Sequence, residues 1–254
     1  MKVCVLASGS KGNSTYIASL NHHILIDIGL TSLATEKRLR TLGVEPNIID
    51  SIFITHSHID HTAGLKVFIK KYHPTIYLPY KVYIDLKEVL LNAEVVFIDH
   101  QILLDTILIE SFKTSHDTED SVGYLITSEG KEIVYVTDTG YISERNLQKI
   151  TNKDVYIIES NHDVEMLMNG HYPYHIKQRI LGDRGHLSNI DSSYYLSKII
   201  GNHTKKVFLA HLSHENNTEK KALDTLYQTL KKKDITFPSI SIAKQDVATE
   251  VVEV

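Results

Sequence analysis

A short polar segment in the first quarter of the chain carries four side chains that commonly bind metal ions. The sequence FITHSHIDH contains His56, His58, Asp60 and His61 within six positions, directly after an apolar run. Alternate side chains of an extended segment share a face, so we expect the first three to point one way and His61 the other. Burying four such groups without a ligand would be costly. We therefore interpret the segment as a metal-binding loop at the end of a strand.

The composition limits the kind of metal site that this chain can form. The sequence has 15 histidines and a single cysteine, Cys4, which excludes a disulfide framework and a cysteine-rich metal site. A histidine excess points to nitrogen and oxygen ligands or to acid–base chemistry. The formal net charge of −4 argues against a generally basic nucleic-acid coat, although it leaves a local basic groove open.

The elements that must position these ligands are short strands rich in Val and Ile, several of them followed by helices. The predicted strands span residues 2–7, 15–19, 23–27, 51–54, 75–78, 94–98, 107–113, 123–127, 132–137, 155–159 and 206–210. The predicted helices span residues 32–42, 62–71, 144–150, 173–181, 189–200 and 218–232. A hairpin meander followed by alternating strands and helices favours two packed sheets with helices outside over one doubly wound sheet.

The length and hydropathy of the chain suit a globular protein. With 254 residues, of which 42% are hydrophobic, it can form a full core, and we expect one domain over residues 1–254. The apolar run at the N-terminus is too short for a signal peptide, and no run approaches the roughly 20 residues of a membrane span. We therefore predict a cytoplasmic protein that makes no contact with a membrane.

The segment THSHIDH resembles the signature of the metallo-β-lactamase superfamily, whose fold is a four-layer αβ/βα sandwich. The resemblance implies three further ligands, each just after a strand-like run: His116, Asp138 and His211. By this resemblance two divalent ions are bound, the first by His56, His58 and His116, the second by Asp60, His61 and His211, with Asp138 bridging both. Such a ligand set suits zinc, manganese or iron and contains no thiolate to select among them.

The superfamily contains several classes of enzyme, so its fold leaves the reaction open. Aspartate rather than cysteine at position 138 disfavours the β-lactamases with a cysteine ligand, but not thioester or lactone hydrolysis. Glu159, predicted to be exposed at a strand tip, and His186 are similar in order and spacing to a pair in ribonuclease Z and its phosphodiesterase relatives. The resemblance implies that His186 protonates the leaving oxygen and that Glu159 supports it, which completes a catalytic set with Asp60 and Asp138.

Six stretches together resemble the WalJ/YycJ family of bacterial metallo-hydrolases over about residues 1–220. They are LASGSKGNSTYI, LIDIGL, ITHSHIDHTAGL, VTDTGYIS, IESNHDVEMLMNGHYPYHIKQRILGDRGHLSN and LAHLSHENN. The resemblance implies a binuclear 5′-to-3′ exonuclease acting on DNA, associated with end resection in mismatch repair and with repair-complex proteins. The alternative is a small-molecule phosphodiesterase, a thioester hydrolase or a lactonase of the same superfamily.

Several residues beside the predicted ligands could contact the substrate. Three of these residues lie between Glu159 and His186. The aromatic ring of Tyr174 could stack on a base, and the cations Lys177 and Arg179 could hold phosphates. The glycine–serine turn after the first strand is predicted either to be an ordinary hairpin turn or to use Ser10 or Asn13 to contact a phosphate or support a ligand. Ser213 and Asn217, beside His211, are also predicted to contact the substrate.

Overall fold

The computed structural model describes residues 1–235 and 239–254. The first of its two sheets has seven strands, in the spatial order β14-β1-β2-β3-β4-β5-β6. These strands are β1 (Lys2–Ala7), β2 (Ser14–Ser19), β3 (His22–Ile26), β4 (Ser51–Phe53), β5 (Thr75–Leu78), β6 (Val95–Phe97) and β14 (Val252–Glu253). The strands from β14 to β3 pair antiparallel, whereas those from β3 to β6 pair parallel.

The second sheet also has seven strands, in the order β13-β12-β11-β10-β9-β8-β7. These strands are β7 (Gln101–Leu104), β8 (Ile107–Lys113), β9 (Val122–Ser128), β10 (Lys131–Val136), β11 (Val155–Glu159), β12 (Lys206–Ala210) and β13 (Ile240–Ile242). The strands from β7 to β10 form an antiparallel meander, and those from β10 to β13 pair parallel. Each sheet therefore has an antiparallel half and a parallel half.

Helices connect the parallel strands and cover the outer faces of both sheets. They are α1 (Ser32–Thr41), α2 (Ile59–Thr62), α3 (Leu65–Tyr72), α4 (Tyr80–Leu86), α5 (Glu144–Ile150), α6 (Val164–Asn169), α7 (Tyr174–Leu181), α8 (Asn189–Ile199) and α9 (Glu219–Lys232). Ser188 caps α8 by accepting a hydrogen bond from the Asp191 amide, and Thr218 caps α9 in the same way through the Lys221 amide. Every helix among the described residues is too short or too polar to cross a bilayer.

Apolar residues on both faces of the strands create three core layers. In β3, Ile24 and Ile26 point into the core between the two sheets, whereas Leu25 points into the core beneath α1 and α3. In β12, Phe208 packs between the sheets and Leu209 packs toward the outer helices. A strand whose side chains alternate can supply two cores at once only if both faces are apolar. The result is the predicted four-layer αβ/βα sandwich.

The predicted helix over residues 62–71 differs from the structure in a way that matters for the site. The chain forms a single helical turn at Ile59–Thr62, breaks at Ala63 and Gly64, and resumes as α3. The Ala63 amide donates to the Ile59 carbonyl over 2.8 Å, so the segment is already helical at His61. The expectation that His61 points away from its neighbours is therefore wrong, because it assumed an extended backbone.

Several elements were absent from the prediction, namely β7, β13, β14, α4 and α6. The three strands lie at sheet edges, where partial exposure weakens the hydrophobic pattern from which strands are predicted. The two helices are only seven and six residues long, which is less than two turns.

One glycine holds the loops of the first sheet against the polar segment. The Gly29 amide donates to the Asn13 carbonyl, and the Asn13 amide donates to the Asp60 carbonyl, each over 2.8 Å. A Cβ atom at Gly29 would lie 1.6 Å from the Asp60 carbonyl oxygen. Only glycine allows this approach, so residue 29 sets the position of the loop that carries Asp60.

We expect Gly29→Ala to lower the free energy of unfolding by about 3 kcal/mol, because the backbone carrying Asp60 must move to admit a methyl group. Urea denaturation of the metal-free protein measures this change. The matched control is Gly43→Ala, where φ is +74° and the added Cβ meets nothing within 4 Å. Its expected loss is about 1–2 kcal/mol from backbone strain alone. An equal loss in both variants would contradict the packing role of Gly29.

Candidate metal centre

The polar residues of the candidate centre follow strands whose ends meet at one edge of the sandwich. They are His56 after β4, His116 after β8, Asp138 after β10, Glu159 at the end of β11 and His211 after β12. Asp138 and His211 have φ angles of +54° and +55°, a left-handed conformation that non-glycine residues rarely adopt. Such strain persists where the surrounding structure holds it, and it is common at functional sites.

The first group of potential ligands consists of three imidazoles. His58 Nδ1 lies 3.2 Å from His56 Nε2 and 3.3 Å from His116 Nε2. Burial lowers the pKa of His56 well below its usual range, and it lowers the pKa of His116 in the same direction. These two rings therefore remain neutral and keep a lone pair available for a cation.

The second group consists of Asp60, His61 and His211. Asp60 Oδ2 lies 3.6 Å from His61 Nε2 and 3.6 Å from His211 Nε2. Asp138 stands between the two groups, with Oδ2 3.2 Å from His61 Nε2 and Oδ1 3.9 Å from His116 Nε2. The short α2 turn is what brings His61 into this group.

Two buried atoms of the centre lack a hydrogen-bond partner within the described part of the chain, namely Asp138 Oδ2 and His211 Nε2. Buried polar atoms are normally bonded, because leaving one unpaired costs free energy. The ligand atoms of several histidines and carboxylates here lie within 4.8 Å of one another, close enough to share a metal ion. The residues present therefore fit a divalent cation held by nitrogen and oxygen donors.

Glu159 joins this cluster to His186. Its Oε1 accepts hydrogen bonds from His186 Nδ1 and from His211 Nδ1, each over 2.8 Å. Its Oε2 accepts from the Thr139 amide at 3.1 Å and the Leu187 amide at 3.0 Å. The predicted exposure of Glu159 is wrong, because β11 is an inner strand between β10 and β12 and the side chain is fully buried.

The charges of this group set its protonation. Burial alone would raise the pKa of Glu159, but the two imidazoles outweigh it and lower the pKa to about 2. Burial alone would lower the pKa of His186, but the Glu159 carboxylate outweighs it and raises the pKa above the usual value. Glu159 is therefore ionised and His186 takes up a proton more readily than a free imidazole. The His186 side chain remains 20% exposed, so it can meet a substrate.

Residues 22–205 match the family described as the Beta-lactamase superfamily domain. The chain is 38% identical over 241 residues to exodeoxyribonuclease WalJ of Streptococcus pneumoniae serotype 2, covering 92% of this chain and 90% of that protein. It is 36% identical over 237 residues to exodeoxyribonuclease YycJ of Bacillus anthracis, covering 90% and 89%. The chain belongs to the WalJ/YycJ family of the β-lactamase superfamily. Membership makes it a metal-dependent hydrolase and confirms the resemblance noted in the sequence.

Solved structures confirm the fold of this WalJ/YycJ family member. The metallo-β-lactamase fold protein YhfI of Bacillus subtilis superimposes with a TM-score of 0.71 and 18% identity, over 98% of this chain and 100% of that one. The short form of human tRNase Z superimposes with a TM-score of 0.68 and 16% identity, over all of both chains. At these identities the similarity establishes the sandwich and leaves the chemistry to be argued from the site.

A buried aspartate that the sequence analysis did not single out orients His61 in this family member. Asp27 Oδ2 lies 2.7 Å from His61 Nδ1, and its two oxygens accept from the Thr55 amide and hydroxyl, each over 2.8 Å. This contact places a proton on Nδ1 and turns Nε2 toward the other groups of the centre. The carboxylates of Asp27 and Asp138 outweigh burial and raise the pKa of His61 to about 10, so a metal that binds Nε2 must displace a proton from that atom. The clue in the sequence was an aspartate at the end of the strand predicted over residues 23–27, in LIDIGL.

A second unpredicted carboxylate, Asp117, borders the centre. Its Oδ1 lies 3.5 Å from His58 Nε2 and 3.4 Å from His116 Nε2. Its Oδ2 accepts a hydrogen bond from Arg179 Nε over 2.6 Å. Arg179, predicted to bind substrate phosphate, thus reaches the edge of the centre from α7 through an ion pair.

Some of the predicted substrate contacts are engaged inside the protein. Asn217 is buried, and its Nδ2 donates to the Ser160 carbonyl at 2.9 Å and the Asn161 carbonyl at 3.0 Å, which leaves it unavailable to a substrate. Lys177 Nζ donates to the Met168 and Gly170 carbonyls at 2.7 and 2.8 Å and fastens the end of α6. Both sets of contacts have one cause, because neighbouring backbone carbonyls that the sequence does not reveal bind these side chains. A substrate role for Lys177 stays a prediction.

The other predicted contacts differ in how near they are to the ligands. Asn13 is buried, with Nδ2 3.0 Å from His61 Nε2 and 3.3 Å from Asp60 Oδ2, so the geometry favours ligand support over substrate contact. Ser10 and Tyr174 are exposed, and Ser213 is half-buried. A substrate role for these last three stays a prediction.

We expect Asp27→Asn to weaken metal binding about 10- to 100-fold, because the amide no longer holds the proton on His61 Nδ1. Competition with a chromogenic chelator measures the affinity. The control is Asp105→Asn, which alters an exposed carboxylate that contacts only His22 among the described ion pairs. Thermal unfolding of each metal-free variant reports separately on folding. Equal affinity in the two variants would contradict the orienting role of Asp27.

Proposed function

We propose that this protein is a binuclear metal-dependent phosphodiesterase that degrades DNA as a 5′-to-3′ exonuclease. The observation that supports the proposal is the Glu159 oxygen shared by His186 and His211, which brings the His186 ring close to a cluster of groups that could hold metal ions. The choice of DNA is supported by the relatives at 36–38% identity, which are named exodeoxyribonucleases. They favour this function over a small-molecule phosphodiesterase, a thioester hydrolase or a lactonase.

We assign the metal ligands according to the two groups seen at the strand ends. His56, His58 and His116 would hold one ion, Asp60, His61 and His211 would hold the other, and Asp138 would bridge them. When bound, such ions clamp a phosphate, activate water and stabilise developing negative charge. The donor set suits zinc, manganese or iron equally.

The chain's own residues complete the reaction around that centre. Hydrolysis breaks the bond between phosphorus and the leaving 3′ oxygen, which is a poor leaving group unless it receives a proton. His186 would donate that proton, since its raised pKa keeps the ring protonated to higher pH. Glu159 acts as a positioning residue, because its carboxylate is buried and reaches the substrate only through His186.

Two further statements rest on the family resemblance alone and stay predictions, namely a role in end resection during mismatch repair and association with repair proteins. A cytoplasmic location, predicted from the hydropathy of the sequence, stays a prediction too. The organisation of residues 1–254 as one domain also stays a prediction. None of these is needed for the chemistry argued above.

The decisive test is digestion of 5′- and 3′-end-labelled DNA by the metal-reconstituted protein. We expect mononucleotides or short products released from the 5′ end, with loss of activity after chelation and recovery after metal is returned. Asp138→Ala is expected to abolish cleavage, because it removes the carboxylate that lies between both ligand groups.

The outcome separates the two classes of function. Hydrolysis of a thioester, a lactone or a small phosphodiester with no cleavage of single- or double-stranded DNA would reject the nuclease. The position of the label in the products reports polarity, and their length separates exonuclease from endonuclease action.

His186→Ala is expected to slow DNA cleavage about 10²- to 10⁴-fold, because the leaving 3′ oxygen loses its proton donor. Hydrolysis of bis(4-nitrophenyl) phosphate should fall much less, since nitrophenolate departs without a proton. Comparing the two substrates at matched metal content separates proton donation from damage to the centre.

The control for this experiment is His175→Ala, which removes an exposed histidine from the same segment of the chain. We expect both substrates to be hydrolysed at the wild-type rate by this control. An equal loss of activity on both substrates in His186→Ala would refute the role of His186 as a proton donor.

A further inference from the structure

A groove leads away from the candidate centre along the edge of the sandwich. Its narrow part, of about 310 Å³, is lined by His116 among other residues. It continues into a wider cleft of about 710 Å³ bordered by α4 and α5. The two parts share four lining residues, Lys113, Thr114, Ser115 and Asp120, and we call the whole the edge groove. Ligand sites are commonly clefts of this size.

Two arginines line the edge groove without a carboxylate partner among the described residues. Arg184 borders the narrow part, and Arg145, the second residue of α5, borders the wide part. Both side chains are exposed. A guanidinium in this setting can form a bidentate pair with a phosphate without first giving up another partner.

The lysines of the edge groove are paired with acids on the same surface. Lys113 lies 2.8 Å from Asp120, and Lys149 lies 2.9 Å from Glu110. Lys81 lies 3.1 Å from Glu119, and Asp99 also lines the wide part. Exposed pairs of this kind contribute little stability, but they bring the overall charge of the groove close to balance. The groove is therefore unsuited to binding a polyanion by charge alone.

Exposed aromatic side chains supply the second kind of contact. Tyr80 and Phe97 are 56% and 48% exposed, and their ring centroids lie 5.3 Å apart in an edge-to-face arrangement. Phe97 also packs edge-to-face on Tyr83, with ring centroids 5.2 Å apart, and this contact supports the pair of rings formed by Tyr80 and Phe97. Tyr141, 45% exposed, lines the wide part together with Tyr80. Aromatic faces of this kind stack on nucleic-acid bases whatever their sequence.

We propose that the edge groove binds single-stranded DNA leading to the metal centre, with Arg145 and Arg184 on phosphates and Tyr80 and Tyr141 against bases. The occupant is a single strand, because stacking needs bases that are free of a complementary strand. His116, which would bind one of the metal ions, lines the narrow part of the groove, so the groove reaches the place where the scissile phosphate would bind. The proposal rests on the proposed nuclease function and adds the path and the form of its substrate.

The test compares Tyr80→Ala and Arg145→Ala in the metal-loaded protein. Substrates are a 5′-phosphorylated dinucleotide, a single strand of about 20 nucleotides, longer than such a groove would span, and a blunt duplex of the same sequence. For the long single strand we expect kcat/KM to fall at least about fivefold in Tyr80→Ala. In Arg145→Ala the slope of log binding constant against log salt concentration should decrease by about 0.7, for one lost phosphate contact.

The controls are Tyr227→Ala and Lys232→Ala, which remove an exposed aromatic residue and an exposed cation from α9, beside α8 and β13. They should leave all three substrates unaffected. Cleavage of the dinucleotide and of bis(4-nitrophenyl) phosphate should also be unchanged in Tyr80→Ala and Arg145→Ala.

Two results would overturn the proposed role of the edge groove. One is wild-type kinetics of both variants on the long strand, and the other is an equal loss of kcat/KM on the dinucleotide and on the long strand. A stronger effect of the variants on the duplex than on the single strand would overturn the assigned occupant. Failure of the nuclease function itself looks different, because the wild-type protein would then hydrolyse the nitrophenyl diester and leave every DNA substrate intact.

Discussion

Three carboxylates with almost no exposure to solvent set the main electrostatic constraint on this protein. Asp27, Asp138 and Glu159 are 0%, 3% and 0% exposed and lie at one edge of the sandwich. A buried charge is tolerated only when opposite charges and hydrogen-bond donors surround it. The histidines supply those partners, so the same contacts that allow the acids to be buried also hold the imidazole rings in place for a metal.

The backbone contributes to this arrangement at three positions. Asp27, Asp138 and His211 have φ angles of +58°, +54° and +55°, each within two residues of the end of a strand. A turn into the left-handed region redirects the side chain from the strand's alternation toward the edge of the sheet. The strain costs about 1–2 kcal/mol for each residue, which the packed strands on either side must offset.

The two sides of the centre differ in how firmly they are built. The side of Asp27 and Glu159 is buried and saturated with hydrogen bonds. The other side carries α7, which has no buried residue and is fastened by the ion pair of Arg179 with Asp117. The edge groove opens beside His116. A rigid inner wall and a lightly attached outer wall suit a site that must hold ions while long substrates enter and leave.

The sequence alone determined the sandwich and the residues that gather at its edge. Strand-like runs followed by histidine or aspartate are local patterns, because both the alternation of side chains and the end of a strand depend on a few adjacent residues. These patterns predicted the strands that precede His116, Asp138 and His211. The helical turn at Ile59–Thr62 was missed because four residues are too few for a periodic signal.

Only the tertiary structure decided which of these groups contact one another. Asp27 and His61 are 34 residues apart in sequence, and Glu159 and His211 are 52 apart. These contacts follow from the pairing of β3 with β4 and of β11 with β12, which no local pattern specifies. The hydrogen bonds from Asn217 and Lys177 to backbone carbonyls have the same origin. A polar side chain binds the nearest unsatisfied group, and that group is known only once the strands have found their neighbours.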